Sequence, residues 1–310
     1  MEEIRGKAPL RVSFAGGGTD LNEVFEKYGG AVINTTINKY IHMTLIPRNN
    51  KIIRINDSSE LDDFSQQIIQ GIYPSKGFDI FYHTDLPSGR GLGSSSTYSV
   101  LLAKLIYEYL GTKISNEELV KQVYGIESEV GKCGWQDQYA VTNGGINFIE
   151  LTKGKIIAYP LKLKESVIRE LESHMVLVFS KKSHDAKKIE KNNLQTMTKE
   201  KAEGLKKCAI AIRDLLLNEV VEPIGDILNQ AWELKRNKYT SNEEIEELYK
   251  LGMTRGGASG GKVLGAGDGG YMLFFVEPKR KKYFIELFET MEFEVITPEI
   301  TNKGAEVWSL

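Results

Sequence analysis

The run Pro87-Ser88-Gly89-Arg90-Gly91-Leu92-Gly93-Ser94-Ser95-Ser96 has the residue types that a phosphate group needs. Its glycines let the backbone approach a ligand closely. Its serines stand where a following helix would leave N–H groups unpaired and its dipole would favour negative charge. The hydroxyls can cap that helix, touch phosphate oxygens or ligate magnesium. Two other glycine-rich runs mimic nucleotide motifs and fail. Gly256-Gly257-Ala258-Ser259-Gly260-Gly261-Lys262-Val263 has Walker A spacing until its last position, where Val263 replaces the hydroxyl that would meet magnesium. Gly265, Gly267 and Gly270 satisfy G-x-G-x-x-G, but the residues after them read as a strand, whereas a dinucleotide fingerprint must open a helix.

The elements that must position the phosphate loop are legible around it. Residues 79–83 read as a strand before it, and residues 94–110 as a helix after it, with Tyr98, Leu101, Leu102, Leu105, Ile106 and Tyr109 at helical spacing and Gly111 as the stop. Residues 11–14, 31–37, 40–46 and 52–55 read as further strands. Ile41, Met43 and Leu45 alternate as they would on a half-buried one. Residues 20–28 predict a short helix capped by Asp20 and ended by Gly29-Gly30. Ser115-Asn116-Glu117-Glu118 is a capping box opening a helix striped by Leu119, Val123, Ile126 and Val130. Beyond residue 160 the pattern turns helical over 164–173, 185–217, 221–238 and 242–251, with strands at 174–180, 271–276 and 293–296. Strand-rich then helix-rich halves predict an α+β protein of two domains, 1–160 and 161–310.

Composition narrows the class. The 310 residues are 41% hydrophobic and 26% charged, enough to bury a sizeable core, and a net charge of −2 exerts no general pull on nucleic acid or acidic membranes. The basic clusters Lys181-Lys182, Lys187-Lys188 and Lys279-Arg280-Lys281-Lys282 read as solvated faces. Cys133 and Cys208 are too few for a disulfide framework. With no charged-then-apolar leader and no apolar run of about 18 residues, the expected compartment is the cytoplasm. His42, His83 and His174 lack metal-ligand spacing, and His184 sits in a lysine-rich stretch that reads as surface.

The phosphate loop also has companions. Lys7-Ala8-Pro9-Leu10-Arg11-Val12-Ser13-Phe14-Ala15-Gly16-Gly17-Gly18-Thr19-Asp20 precedes it, and Gly134-Trp135-Gln136-Asp137-Gln138-Tyr139-Ala140 and Lys262-Val263-Leu264-Gly265-Ala266-Gly267-Asp268-Gly269-Gly270 follow. In this order the four segments resemble the motifs of the GHMP kinases, the superfamily of galactokinase, homoserine kinase, mevalonate kinase and phosphomevalonate kinase. The Gly-Gly-Gly-Thr-Asp and Gly-Trp-Gln-Asp-Gln forms are most similar to its heptose 7-phosphate kinases. The resemblance runs from Arg5 to about Val276. It implies a ribosomal-protein-S5-domain-2-like first half, a ferredoxin-like second half, and ATP and Mg2+ as co-substrate and cofactor.

The same resemblance implies roles for single residues. Asp137 would be the catalytic carboxylate, accepting or orienting the proton of a sugar hydroxyl that attacks the γ-phosphorus, with Arg11 beside it. Pro87, Gly89, Arg90, Gly91, Leu92, Gly93, Ser94, Ser95 and Ser96 would cradle ATP. Ser95 and Glu129 would ligate magnesium, Ser94 and Glu127 being the neighbouring alternatives. Lys7, Gly16, Gly17, Gly18, Thr19, Asp20, Gly265, Gly267 and Gly269 would line the substrate's side. Asp268, where the family usually has glycine, would repel triphosphate if it pointed inward. The implied acceptor is the anomeric hydroxyl of D-glycero-D-manno-heptose 7-phosphate, whose 1,7-bisphosphate feeds nucleotide-activated heptose synthesis. A phosphorylated sugar needs another cation, for which Arg5, Lys7, Lys39 and Arg90 are candidates. The alternatives are a kinase of free fucose or galactose, which needs no such cation, and a regulator that binds sugar and ATP without transfer. A homodimer remains open.

Overall fold

A computed structural model of the chain describes residues 2–309 except 73, 75, 132, 183–188 and 190–193. The first half contains β1 (Ile4–Ala15), α1 (Asn22–Tyr28), β2 (Gly30–Pro47), β3 (Arg54–Ile55), α2 (Asp63–Ile72) and β4 (Phe78–Thr84), followed by α3 (Ser94–Tyr109), α4 (Asn116–Val130), α5 (Gln136–Asn143), β5 (Ile146–Thr152) and β6 (Lys155–Pro160). The second half contains α6 (Glu165–His174), β7 (Met175–Phe179), α7 (Lys199–Leu217), α8 (Ile224–Lys235), α9 (Glu243–Leu251), a π-helical turn Gly252–Gly256, β8 (Gly260–Val263), β9 (Tyr271–Phe275), α10 (Pro278–Thr290), β10 (Val295–Ile296) and β11 (Glu306–Ser309).

Two sheets organise these elements. The first has β2 at its centre, antiparallel to β1 along one edge and, along the other, to β5 with its first half and β4 with its second. The strands expected at 31–37 and 40–46 are therefore one long strand. Its register against β1 shifts between Pro9 and Arg11, because Pro9 has no N–H for the ladder and the partner strand bulges there. The second sheet is antiparallel in the order β10-β7-β9-β8, the ferredoxin-like arrangement. The change of sheet falls after Pro160, and β11 at the end of the chain returns to pair with β1 in the first sheet.

Burial explains the helices around the loop. Leu101, Leu102, Leu105 and Ile106 of α3 are fully buried, and the Ser115–Glu118 capping box opens α4 as its sequence requires. Two helix starts differ from expectation. Leu21, not Asp20, occupies the N-cap of α1 and makes no side-chain cap, because the Asp20 carboxylate is engaged elsewhere. Of the helix expected over 185–217, residues 189 and 194–196 are helical and a break at 197–198 makes Lys199 a new start, where Thr198 accepts a bond from the Lys201 N–H; the rest of 185–193, with His184, lies outside the described residues. The sequence reading also missed α2, α5, α10, β5, β6, β8 and β11. Among the described residues no helix is long and apolar enough to cross a membrane.

Candidate active site

The phosphate loop leaves β4 and ends where Gly93, in the left-handed region at φ 74°, caps α3. Ser94, Ser95 and Ser96 form the first turn, and Gly93 at the N-cap has no side chain to occupy its N–H groups, which suit an anion. The second glycine-rich loop packs onto the first, backbone to backbone. A Cβ on Gly91 would stand 2.7 Å from the Leu264 carbonyl oxygen, and one on Gly265 would stand 2.7 Å from the Gly91 Cα. The Tyr271 N–H donates to the Arg90 carbonyl at 2.9 Å, locking the stack. Asp268 points away: its carboxylate accepts from Asn242 at 2.7 Å and faces Lys182 at 3.6 Å, so it does not confront the loop.

Asp137 is carried in the first turn of α5. Arg11, buried in β1, donates from Nε to Oδ1 at 2.6 Å and from NH2 to Oδ2 at 2.8 Å, a two-pronged clamp on one carboxylate. Its remaining nitrogen, NH1, donates to the Gly91 carbonyl at 2.5 Å, while its backbone N–H donates to the Leu92 carbonyl at 3.0 Å. One arginine thus holds Asp137 at a set position relative to the phosphate loop.

Behind them lies Glu127, 3% exposed, on the face of α4 turned toward α3 and α5. Ser96 Oγ donates to its Oε2 at 2.8 Å, and Gln138 Nε2 donates to the same oxygen. Its Oε1 has no hydrogen-bond partner among the described residues. Burial pushes the Glu127 pKa up to about 7, against the opposing pull of Ser99, Ser96 and Gln138. Glu129 stands on the exposed side of α4 and lines no cavity near the loop. Of the two carboxylates, it is Glu127 that lines the cavity beside the loop. The buried stripe of α4 runs through Leu119, Val120, Val123, Tyr124 and Glu127, rotated from the expected one.

Asp20 is almost fully buried. Its Oδ1 accepts from the Gly18 N–H at 3.0 Å and its Oδ2 from the Gln136 N–H at 3.1 Å. Burial raises its pKa, and the N–H donor of Gln136 pulls it back. Gly134 is required beside it, since a Cβ there would fall 1.9 Å from Asp20 Oδ2. Gly134→Ala is expected to cost roughly 1–3 kcal/mol through overpacking. Gly125→Ala in α4, where nothing stands within 4 Å of the new carbon, is expected to be neutral or stabilising. Urea midpoints for the two variants check this, and equal destabilisation would remove Asp20 as the reason for the glycine.

Two cavities meet at these residues. The first is lined by Ser13, Gly17, Gly18, Asp20, Gln136, Lys201 and Lys235, among others; the second by Ser88, Gly89, Gly91, Gly93, Ser94, Ser95, Glu127 and the apolar or aromatic Ile41, Phe64, Tyr82 and Tyr98. Arg11, Ser96, Cys133, Asp137, Gly265 and Ala266 belong to both. Several expected site residues lie outside them. Arg90 reaches Glu294 at 2.6 Å and covers the Phe179 ring, exposed Pro87 and buried Leu92 only shape the loop, and Lys7 faces Glu306 on the open sheet. Gly16 abuts the Ala31 carbonyl, Thr19 bonds the Gly16 and Ala31 carbonyls, and Gly267 abuts Thr240, so these three serve the loops' folding. Gly269 lines neither cavity. Trp135 stacks on Tyr124 with ring centroids 3.6 Å apart and donates to Asn22, so it packs against protein. Sequence reasoning missed Ser13, Gln136, Lys201 and Lys235. Ser13 and Gln136 stand inside two of the four motif segments, whereas Lys201 and Lys235 carry no local signal.

A clamped carboxylate at the seam between a phosphate cradle and a polar cavity is the site of a phosphotransferase with a hydroxyl acceptor. The chain belongs to the GHMP kinases: the family's N-terminal domain matches residues 61–145, and a full-length relative agrees. That relative, the D-glycero-alpha-D-manno-heptose 7-phosphate kinase of Campylobacter jejuni, is 35% identical over 100% of both chains. The crystal structure of a D-glycero-D-manno-heptose 1-phosphate kinase from Bacteroides thetaiotaomicron superposes with a TM-score of 0.82, at 31% identity over 99% of each chain. Lactococcus lactis galactokinase, solved with galactose, shares the fold at a TM-score of 0.77 and 16% identity, over 98% of this chain and 95% of its own.

Proposed function

We propose that the protein is a cytoplasmic, ATP-dependent sugar kinase that phosphorylates the anomeric hydroxyl of D-glycero-D-manno-heptose 7-phosphate, giving the 1,7-bisphosphate. The observation that carries the reading is the position of Asp137. It is the clamped carboxylate shared by both cavities, so a hydroxyl held in the first would face a γ-phosphate held on the loop of the second. Asp137 would orient that hydroxyl and receive its proton as the new O–P bond forms and the bond to the ADP oxygen breaks. Arg11 would keep the carboxylate aimed. The α3 N–H groups and the loop backbone would offset charge on the triphosphate. In the first cavity, Asp20 and Gln136 offer acceptors and donors to sugar hydroxyls.

The residues present also fit magnesium. Among the described residues no three His, Cys, Asp or Glu side chains are grouped to hold a metal, but a magnesium ion that shares phosphate oxygens and keeps waters needs few protein ligands. Glu127, with one oxygen left unbonded, and the exposed Ser95 hydroxyl in the same cavity would supply them. Bound there, the ion would neutralise charge on the transferring phosphoryl group.

The test is ADP release with magnesium-ATP across heptose 7-phosphate, heptose 1-phosphate, free heptose, fucose and galactose. Selective turnover of heptose 7-phosphate is the expected result. Turnover confined to a free sugar would overturn the substrate, and ATP binding with no turnover on any sugar would favour a regulator.

A further inference from the structure

The four cations the sequence suggested for the sugar's existing phosphate are elsewhere. Arg5 pairs with Glu3, Lys7 faces Glu306, Arg90 pairs with Glu294, and Lys39 lines neither cavity. Among the described residues that line the first cavity, the cations besides Arg11 are Lys201 and Lys235. They come from separate helices, Lys201 near the start of α7 and Lys235 at the end of α8. Leu205 and Leu234, one turn or one residue away, line the same cavity, so the packing of the two helices fixes the spacing of the lysines. Lys235 donates to the Gly265 carbonyl, and its Nζ lies 4.0 Å from where a Gly17 Cβ would be, directly over the glycine floor. No described carboxylate forms an ion pair with Lys201, which is only partly exposed.

We propose that Lys201 and Lys235 form the subsite for the phosphate that the acceptor sugar already carries, and that they set the preference for a phosphorylated over a free sugar. The proposal rests on the sugar-kinase reading above. The charge balance of the wall supports it. Asp137 is answered by Arg11 and Asp20 by two backbone N–H groups, and the cavity lining adds the two lysines to that balance. This wall therefore holds more positive than negative charge, and a dianion with three acceptor oxygens matches two ammonium groups where a neutral hydroxymethyl end would not. Because both lysines line the sugar's cavity and not the loop's, the triphosphate does not compete for them.

The test compares kcat/KM for heptose 7-phosphate and free heptose in the wild type, Lys201→Ala and Lys201→Arg. Loss of a charge-assisted bond predicts a fall of about 10–100-fold in the ratio of the two for Lys201→Ala, carried by the KM of the phosphorylated sugar, with partial recovery in Lys201→Arg. An unchanged ratio, or a parallel loss on both sugars, would overturn the proposal. Lys235→Gln is the second variant, read by the same ratio because its bond to Gly265 also supports the loop. If the wild type accepts no phosphorylated sugar, the substrate reading fails. The subsite is then judged by 31P NMR of inorganic phosphate, with the loop filled by magnesium and a non-hydrolysable ATP analogue. Line broadening in the wild type that disappears in Lys201→Ala keeps the anion site, and its absence in the wild type removes it.

Discussion

Asp137→Asn should lower kcat by about 10²–10⁴-fold, the range for removing a positioned proton acceptor, while ATP affinity stays near that of the wild type. The amide preserves shape, so α5 and the loop should hold. What changes is the pair with Arg11. The guanidinium donates to both carboxylate oxygens, and an amide offers one oxygen and a repelling NH2 group in their place. Part of the loss will therefore come from a released Arg11, whose third bond supports the Gly91 carbonyl. Arg11→Lys separates the two effects. If aiming the carboxylate matters, that variant should also lose kcat, because an ammonium cannot reproduce the two-pronged geometry. Wild-type-like turnover in Asp137→Asn, by steady-state and single-turnover assay, would end the catalytic assignment.

Glu127→Gln should act in opposite directions on function and on stability. Magnesium-dependent turnover should fall about 100-fold with a raised requirement for the ion, since in the proposed site one of the two protein ligands becomes a neutral amide. The ligand-free protein, in contrast, should become more stable at pH 8. The folded pKa of Glu127 lies near 7 against an ordinary 4.5, so between those values the folded state retains a proton that the unfolded state has lost. Stability must then fall as pH rises from about 4.5 to about 7 and stay level above, a total of roughly 3 kcal/mol. The substitution removes that slope. Urea unfolding at pH 5 and pH 8 reads the difference directly, and equal slopes in wild type and variant would show that Glu127 does not titrate in this window. Glu129→Gln, on the exposed face of the same helix, is the matched control.

The two predictions also mark how far the sequence could be read. Asp137 and the serine-rich turn were identifiable because short contiguous segments carry them, and the capping box at Ser115 is local chemistry that needs nothing from the rest of the chain. The choice between Glu127 and Glu129 was not local. Both flank an apolar stripe, and which one turns inward depends on how α4 rests against α3 and α5. Asp20 failed as a helix cap for a related reason: two backbone N–H groups, one from a segment 116 residues away, took its carboxylate first. Arg90 looked like a phosphate ligand until Glu294, 204 residues downstream, claimed it.

The sequence by itself determined the α+β class, the glycine- and serine-rich loop with its helix, the family and the carboxylate we propose as catalytic, because glycine positions, hydrophobic periods and short motifs act over a few residues. Only the tertiary structure decided that Arg11 clamps Asp137, that Glu127 faces the cleft, that β11 closes onto β1, and that Lys201 and Lys235 share a wall with Asp20. Those arrangements join residues from distant parts of the chain. The direction in which a side chain finally points is set by the partner that reaches it and by the water that packing removes.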